Sequence, residues 1–257
     1  MPLPSVGYSL GSPFIELQSV DSTNNYALAQ IHANLARPGT CYFAHEQTAG
    51  KGQRGKSWAT EKDANITMTV VLTPSFLQLF QLFQLSACVA VATYYFLRKY
   101  AGASMAIKWP NDLYWRNNKI AGILIENVIG KRKKGPTTWN WAVIGIGVNV
   151  NQTKFPTGIK NAGSLKQITG NEFDTVALGK ELCECLDQTY KKLMNEGFET
   201  IHSEYSNLLY KKNEIVKFKR LNRVFAATVK NVNESGQLVI EHGIEERLDF
   251  GEVEWVL

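Results

Sequence analysis

The alternation of apolar and polar residues predicts two strands that flank a glycine-rich loop. In the segment 65–73, isoleucine, methionine, valine and leucine alternate with threonine and valine, which is the two-residue period of a strand with one buried face. A second apolar run covers residues 41–47, and the stretch 50–58 between the runs is rich in glycine and cations. We therefore expect a strand–loop–strand unit.

Longer apolar segments repeat with the period of a helix. Asp21 or Ser22 can cap the first helix, in which Leu28, Ile31 and Leu35 share a face before Pro38–Gly39 ends it. The longest apolar segment is interrupted by three glutamines, which favours a buried helix over a membrane span. Further helices are predicted from residue 76 onward, over 76–100, 174–196 and 198–210.

The remaining segments have the short, apolar and β-branched composition of strands. Residues 121–128 and 139–150 predict an antiparallel pair, joined by the basic run 131–134 as a solvated hairpin tip. From Glu214 onward short β-rich segments follow one another, with a turn at 233–236. This change predicts a small barrel-like domain at the end of the chain.

Composition narrows the class of protein. The chain has 257 residues, of which 44% are hydrophobic, enough for one large domain and a small one. A charged fraction of 20% and a formal net charge of +5 are too mild to indicate nucleic acid. Four cysteines give no disulfide framework. The N-terminus lacks a cationic start followed by an apolar run, so we expect a cytoplasmic location.

The loop Gly50–Trp58 carries three glycines among Lys51, Arg54 and Lys56. Free backbone N–H groups beside cations suit an anion such as a carboxylate or a phosphate. A dinucleotide fingerprint requires a helix directly after the glycines, and here the next element is a predicted strand. By itself the loop is either a mobile anion clamp or an ordinary surface loop.

A second cluster favours the anion clamp. Lys108–Asp112 places an amide and a carboxylate around a proline turn, and Lys119 follows shortly after. Proline removes a backbone donor where a strand could have continued, so this turn is not needed for the sheet. Together with the loop, the cluster predicts a site where two anions are brought together and one attacks the other.

Five separated segments agree in order and spacing with one known family. They are Asp21–Asn24, Glu46–Gly55, Lys108–Tyr114, Lys119–Glu126 and Ile144–Asn151. This set resembles the catalytic domain of biotin–protein ligases, enzymes that join biotin to a lysine of a carrier protein. The resemblance implies an α+β fold with a catalytic domain like that of class II aminoacyl-tRNA synthetases over residues 1–212. It also implies an SH3-like β-barrel over residues 213–257.

The family's activity implies ATP, Mg²⁺ and biotin as ligands. Biotin is activated as biotinyl-5′-AMP and then transferred to a biotin carboxyl carrier protein. Because the first matching segment begins at Asp21, we expect a monofunctional enzyme without a DNA-binding module, and no membrane partner. A homodimer through strand edges stays open. Two alternatives are a lipoate–protein ligase with the same adenylate chemistry and a non-catalytic biotin-binding module.

The resemblance also implies roles for individual residues. The ureido group of biotin bonds to hydroxyls and amides near the first helix, and the glycine loop closes over its carboxylate. Gly122 lets the ligand approach the backbone. The residues expected to bind biotin are Ser22, Thr23, Asn24, Gln47, Gly50, Lys51, Gly52, Gln53, Lys119 and Gly122.

The catalytic and nucleotide-binding residues come from the same segments. Lys119 is expected to be the cation between carboxylate and phosphate, with Arg54 and Asp112 as further catalytic groups. Asp112 serves the phosphate or metal side and orients the incoming lysine, while Trp109 belongs to the core. The residues expected to bind ATP are Lys51, Arg54, Trp58, Asn111, Asp112 and Asn149.

The loop departs from the family's usual pattern of Gly-Arg-Gly-Arg-Arg-Gly at two positions. Lys51 keeps the charge of the first arginine but loses its two-pronged geometry, and Gln53 loses the charge of the second. We expect weaker retention of the adenylate and an unchanged reaction type. Its glycines also predict a loop that is open without ligand and ordered with biotin and ATP.

Overall fold

A seven-stranded mixed sheet forms the centre of the protein in a computed structural model, which describes residues 7–130, 137–159 and 161–256. The strands are β1 Phe14–Leu17, β2 Cys41–Ala44, β3 Asn65–Leu72, β4 Met105–Lys108, β5 Asp112–Trp115, β6 Asn118–Gly130 and β7 Thr138–Asn149. Their order is β1-β2-β3-β7-β6-β5-β4. β1 is parallel to β2, whereas the other neighbours are antiparallel. The antiparallel pair of β6 and β7 is confirmed, and the basic run 131–134 lies outside the described residues.

Helices cover both faces of this sheet. They are α1 Thr23–His32, α2 Leu82–Ala101, α3 Leu165–Thr169, α4 Thr175–Glu196 and α5 Phe198–Asn207. Helices α2 and α4 pack on one face, and α5 packs against both of them. Helix α1 packs on the opposite face, where Ala27 and Ile31 meet Tyr42, Val71 and Val143.

The alternation along β3 decides what each face contains. Ile66 and Met68 point into the main core, while Thr69 on the other face bonds to helix α1. Because successive side chains of a strand point to opposite faces, the face under α1 carries polar residues. That face is the one which holds the site described below.

Helix α2 is a core helix. The segment Leu79–Ser104 is long and apolar enough to cross a membrane by length and composition. Leu85, Phe96 and Leu97 are nevertheless fully buried inside the protein, between the sheet and α4. Burial against other protein elements accounts for its apolar sequence, so the prediction of a buried helix is confirmed.

A second sheet follows the helices. It has five antiparallel strands in the order β11-β10-β9-β8-β12. The strands are β8 Ile215–Arg220, β9 Arg223–Val232, β10 Leu238–Glu241, β11 Glu245–Leu248 and β12 Glu254–Val256. The predicted turn at 233–236 is present, with Gly236 at a φ of +88°. This sheet agrees with the predicted small barrel-like domain.

The first helix is shorter than predicted. It ends at His32, and Asn34 adopts a left-handed φ of 57°, a conformation that asparagine tolerates better than most residues. Leu35 therefore leaves the helix and is 67% exposed, so its assignment to the buried face is wrong. Ser22 occupies the N-cap position, but its side chain makes no capping hydrogen bond.

Candidate active site

A cavity of about 620 Å³ lies on the α1 face of the main sheet. The first turn of α1 forms one end, the glycine loop covers it, and strands β6 and β7 form its floor. The segment 250–255 of the second sheet closes the other end. The two predicted clusters, Gly50–Trp58 and Lys108–Asp112, thus meet in one place.

Three glycines form the floor. Gly122 of β6 and Gly147 of β7 are paired across the strands, and Gly145 lies two residues away. A Cβ on Gly147 would collide with the indole of Trp58, and one on Gly145 would collide with the amide of Asn24. The absence of side chains at these glycines therefore lets the Trp58 indole and the Asn24 amide lie directly against the strand backbone.

Uncharged polar groups gather at the α1 end of the cavity. Ser22, Thr23 and Asn24 are buried, and Gln47 reaches them from the chain after β2. Gln47 Oε1 accepts from Thr23 N at 2.8 Å and lies 3.1 Å from Thr23 Oγ1. Buried hydroxyls and amides of this kind are suited to a neutral ligand group with both donors and acceptors.

The glycine loop is held by its own backbone. Trp58 N donates to Gly50 O at 2.8 Å, and Gly52 N donates to Lys56 O at 2.6 Å. Residues 53–55 form a single short turn of 3₁₀ helix before the chain reaches β3. The strand–loop–strand arrangement is as predicted, without the long helix that a dinucleotide site requires.

The loop's side chains reach three different partners. Gln53 Nε2 donates to Ile123 O of β6 at 3.4 Å, and Lys51 Nζ donates to the Asn25 side chain. Arg54 donates to Gly251 O at 3.3 Å, and its guanidinium lies 5.8 Å from the centre of the Phe250 ring. Gln53 thus points toward the floor of the site, and Arg54 links the loop to the second sheet.

Cations and one carboxylate converge at the opposite end of the cavity. Lys119 Nζ lies 2.6 Å from Asp112 Oδ1. Lys108 Nζ lies between two aromatic rings, 5.3 Å from the centres of Tyr114 and Trp255. Burial lowers the pKa of Lys108 from 10.5 to about 8, against the opposing effect of Asp112 and with further lowering by nearby lysines. The excess of positive charge favours a polyanion.

Most of the predicted residues line this cavity. They are Ser22, Thr23, Asn24, Gln47, Lys51, Gly52, Gln53, Arg54, Trp58, Asn111, Asp112, Lys119 and Gly122. Gly50 lies at the base of the loop, where a Cβ would collide with Trp58 O. Trp109 belongs to the core, as predicted, and also lines the cavity; its Nε1 donates to Gly236 O at 2.9 Å.

Asn111 and Asn149 use their amides within the protein. Asn111 Nδ2 donates to Ile123 O, while Ile123 N donates back to Asn111 O at 3.2 Å, so this residue also ties the turn to β6. Asn149 lies outside the cavity lining, and its Nδ2 donates to Gly163 O at 3.0 Å. In this structure Asn149 supports the 161–163 segment and does not face the ligand space.

Several lining residues were not assigned a role from sequence. Gly145 and Gly147 were visible as a Gly-x-Gly repeat inside β7, and a glycine within a strand indicates a close approach. Lys108 begins one of the recognised segments, and Lys56 lies in the loop Gly50–Trp58. Phe250, Gly251, Val253, Glu254 and Trp255 carry no local signal, because they reach the cavity through the packing of the second sheet.

The described residues contain no group of three or more His, Cys, Asp or Glu side chains arranged to hold a metal ion. Two carboxylates, Asp112 and Glu254, line the cavity. A magnesium ion is usually held by one or two carboxylates together with substrate phosphates. The cavity thus fits a magnesium ion that enters with a nucleotide better than a resident one.

Fold and site together define a ligase of the adenylate-forming kind. Residues 16–149 match the model of the biotin/lipoate A/B protein ligase family, and the chain belongs to this family.

Individual relatives agree with this membership. The chain is 29% identical over 227 residues to the bifunctional ligase/repressor BirA of Bacillus spizizenii, which covers 87% of this chain and 68% of the relative. It is 38% identical over 153 residues to the biotin--[acetyl-CoA-carboxylase] ligase of Paracoccus denitrificans, with 58% and 57% covered.

The fold is that of solved biotin protein ligases. The enzyme of Aquifex aeolicus in complex with biotin and ATP superimposes with a TM-score of 0.78 at 24% identity, covering 95% of this chain and 98% of that one. The biotin protein ligase of Leishmania major in complex with biotinyl-5-AMP has a TM-score of 0.60 at 23% identity, with 92% and 98% covered.

Proposed function

We infer that the protein is an ATP-dependent biotin–protein ligase. It activates biotin as biotinyl-5′-AMP and transfers the biotinyl group to a lysine of a biotin carboxyl carrier protein. The observation that carries this function is the division of a single cavity into an uncharged polar end at Thr23 and a cation-rich end at Lys119. Biotin has the same division, a neutral ureido group at one end and a carboxylate at the other.

The first step joins two anions. A carboxylate oxygen of biotin attacks the α-phosphorus of ATP, a new O–P bond forms, and the bond to the β-phosphate oxygen breaks to release pyrophosphate. Charge repulsion is the main obstacle, and cations with backbone N–H groups lower it. Two contacts support this role for Lys119: its ion pair with Asp112 at 2.6 Å and its position 5.6 Å from the centre of the Trp58 ring of the loop.

The glycine loop and the second sheet complete the cation-rich end of the cavity, where we place the nucleotide. Arg54 brings charge from the loop, and Lys108 and Lys56 line the same cavity, whereas Lys51 is held near α1 by the Asn25 side chain. Trp58 and Trp255 offer flat aromatic surfaces for an adenine ring. Asp112, a carboxylate of the cavity lining, would help to hold a Mg²⁺ that enters with ATP, and the ion would supply screening of the phosphate charge.

The second step transfers the biotinyl group. The amine of the carrier's lysine attacks the carbonyl carbon of the mixed anhydride, a C–N bond forms, the C–O bond to phosphate breaks, and AMP leaves. The amine gives up a proton to water as the C–N bond forms, and Asp112 orients the amine by accepting a hydrogen bond from it. The same positive groups that hold ATP stabilise AMP as the leaving group.

Biotin fits the neutral end better than lipoate does. A lipoyl chain has no ureido group, and its dithiolane ring offers no hydrogen-bonding atom to the Gln47 amide at the neutral end. Unpaired buried polar groups cost about 1–3 kcal/mol each, which disfavours lipoate.

A non-catalytic biotin-binding module needs no cation between the two substrates. The ion pair between Lys119 and Asp112 and the loop residue Arg54 are retained here. They have no purpose in holding a neutral ureido group, which favours the enzyme.

Pyrophosphate release tests this function. We expect release when the protein is mixed with both biotin and ATP, none with either alone, and none when lipoate replaces biotin. Transfer is then measured as biotin incorporated into a biotin carboxyl carrier domain. Release with lipoate but not with biotin would establish the alternative ligase, and biotin binding without any release would establish the binding module. We further propose that the protein works in the cytoplasm, a reducing compartment that suits its four free cysteines.

A further inference from the structure

A chain of hydrogen bonds runs from the neutral end of the cavity to a carboxylate outside it. Asn24 Nδ2 donates to Glu126 Oε2 at 2.7 Å. Asn24 Oδ1 accepts from Thr69 Oγ1 at 2.6 Å, and Thr69 Oγ1 lies 2.8 Å from Thr23 Oγ1. Thr69 is fully buried, and Thr23 and Asn24 are nearly so, so water does not substitute for these partners. Glu126 of β6 does not line the cavity.

The carboxylate sets the orientation of the amide. An ionised carboxylate only accepts hydrogen bonds, so the nitrogen of Asn24 must face Glu126. The carbonyl oxygen of Leu124, 3.5 Å from the same nitrogen, favours that orientation as well. Asn24 Oδ1 is thereby turned toward Thr69.

The orientation of the Asn24 amide then fixes which atom donates in each of the following hydrogen bonds. Because Asn24 Oδ1 cannot donate, the single hydroxyl proton of Thr69 lies in the 2.6 Å contact between them. The contact of 2.8 Å between Thr69 and Thr23 must then contain the proton of Thr23. Thr23 Oγ1 has no proton left for Gln47 Oε1, which lies 3.1 Å away and already accepts from Thr23 N.

Since no proton lies between Thr23 Oγ1 and Gln47 Oε1, both oxygens can accept a hydrogen bond from a ligand. Thr23 and Gln47 both line the cavity, and an N–H group placed against Thr23 Oγ1 and Gln47 Oε1 would be accepted by both. With Gln47 Oε1 facing Thr23, the Nε2 of Gln47 is free to donate. The pocket therefore presents acceptors for an N–H and a donor for a C=O, in a fixed order.

We propose that Glu126 is a positioning residue that fixes this order and thereby selects a ligand with adjacent N–H and C=O groups, such as a cyclic urea. The proposal rests on the proposed function for the identity of the ligand. Without Glu126, the amide of Asn24 can turn over. Thr69 would then donate to Thr23 and Thr23 to Gln47, which removes the free acceptor.

Biotin binding to the full chain, measured by titration calorimetry, tests this role. Glu126→Leu removes the acceptor at similar volume, and Glu126→Gln is the matched control because its amide oxygen still accepts from Asn24. We expect the Kd for biotin to rise about tenfold in Glu126→Leu, the loss of roughly one hydrogen bond, and to stay within about threefold in Glu126→Gln. Desthiobiotin, which keeps the urea, should lose as much as biotin. The Kd for ATP alone should not change.

A second pair of variants breaks the chain at another link. Thr69→Val removes the hydroxyl, and Thr69→Ser keeps it. We expect Thr69→Val to weaken biotin binding as Glu126→Leu does, and the double variant to be no weaker than the weaker single one, since both changes break the same chain. If Glu126→Leu does not fold, the Thr69 pair alone tests whether the hydrogen-bonded chain contributes to biotin binding.

The outcomes separate the two claims. If the unchanged protein does not bind biotin, the proposed function is wrong. If it binds biotin and neither Glu126→Leu nor Thr69→Val weakens it, the function stands and the positioning role is wrong. Equal losses for biotin and ATP would show a general distortion of the cavity and would also overturn the role.

Discussion

At the scale of single residues, the site depends on a few charged groups whose partners are visible in the fold. Lys119 is 32% exposed and is held by Asp112 at 2.6 Å. Lys108 has no acidic partner among the described residues at ion-pair distance and lies between aromatic rings. The first lysine is already oriented before substrates bind, and the second is a partly buried cation without an acidic partner at ion-pair distance among the described residues.

Replacing Lys119 with alanine should remove adenylate formation and leave the protein folded. One charge-assisted contact is worth roughly 1.5–3 kcal/mol, and more where charge develops between two anions. We expect pyrophosphate release to fall at least about 100-fold. Lys166→Ala is the matched control, because Lys166 is 35% exposed and pairs with Glu172 away from the cavity. Near-normal release by Lys119→Ala would contradict its assignment.

Lys108 should make ATP binding depend on pH. Its pKa is lowered from 10.5 to about 8, chiefly by burial. The ammonium that attracts phosphate is present below pH 8 and is lost as the pH rises through 8. We expect the Kd for ATP to increase between about pH 7.5 and 9.5 in the parent and to stay flat in Lys108→Arg, which remains charged.

The lowered pKa of Lys108 affects folding stability in the opposite direction, because stability rises with pH where ATP binding weakens. The unfolded chain still binds the proton between pH 8 and 10.5, so this residue makes the free energy of unfolding rise with pH across that window. Below pH 8 the burial of the charge is a full cost. For the ATP prediction above, an equal pH dependence of the Kd for ATP in the parent and in Lys108→Arg would show that a group other than Lys108 is responsible.

At the scale of elements, the sequence patterns predicted which helices and strands form the site better than they predicted the residues at which those elements begin and end. The alternation in β3 and the recognised loop gave the strand–loop–strand unit, because both depend on local periodicity. Strand β1 has four residues and helix α3 has five, too few for a period to appear. The end of α1 was wrong, since Asn34 turns the chain before Pro38.

The glycine loop should become ordered when both substrates bind, which stays a prediction. Its side chains hold the structure through single contacts at Asn25, Ile123 and Gly251. Trypsin cleavage after Lys51 and Arg54 measures it. We expect biotin with ATP to slow this cleavage several-fold, whereas cleavage at the exposed Lys62 serves as an internal reference. Unchanged rates at all three sites would rule out the transition.

The same loop should hold the adenylate less firmly than one with arginines. Gln53 faces the floor of the site through Ile123 O, so an arginine there would enter the ligand space and not the solvent. We predict that Lys51→Arg with Gln53→Arg slows the escape of biotinyl-5′-AMP, because guanidinium groups grip phosphate with two bonds. Trapping of released intermediate without carrier measures this escape. Equal escape rates would assign retention to other groups.

At the scale of the whole molecule, the two sheets share one core and one cavity. Phe218, Leu238 and Leu248 of the second sheet belong to the same apolar cluster as Phe96 and Ile107 of the main one. The predicted division between residues 212 and 213 follows the chain's change in texture. The residues 250–255 that complete the cavity could not be predicted, because their approach depends on how the sheets pack.

This shared core predicts a single unfolding transition. Trp109 Nε1 donates to Gly236 O at 2.9 Å, and His202 Nε2 donates to Val232 O at 2.6 Å. Separating the sheets would expose these groups and the apolar residues around Phe83. We therefore expect one calorimetric peak whose calorimetric and van't Hoff enthalpies agree. Two resolved peaks would show that the second sheet is an independent unit.

Two glycines of the second sheet test the interface itself. Gly236 and Gly243 have similar φ angles of +88° and +93°, so alanine is strained at both. A Cβ at Gly236 would lie 2.6 Å from Cγ of Phe83, whereas at Gly243 it would meet nothing within 4 Å. We expect Gly243→Ala to cost about 1 kcal/mol and Gly236→Ala to cost roughly 1–3 kcal/mol more, because the extra methyl group overpacks the interface. Gly236→Ala should also weaken ATP binding, since the strands that carry Trp255 move with the interface. If both variants melt at the same temperature, the contact between Phe83 and Gly236 does not couple the two sheets.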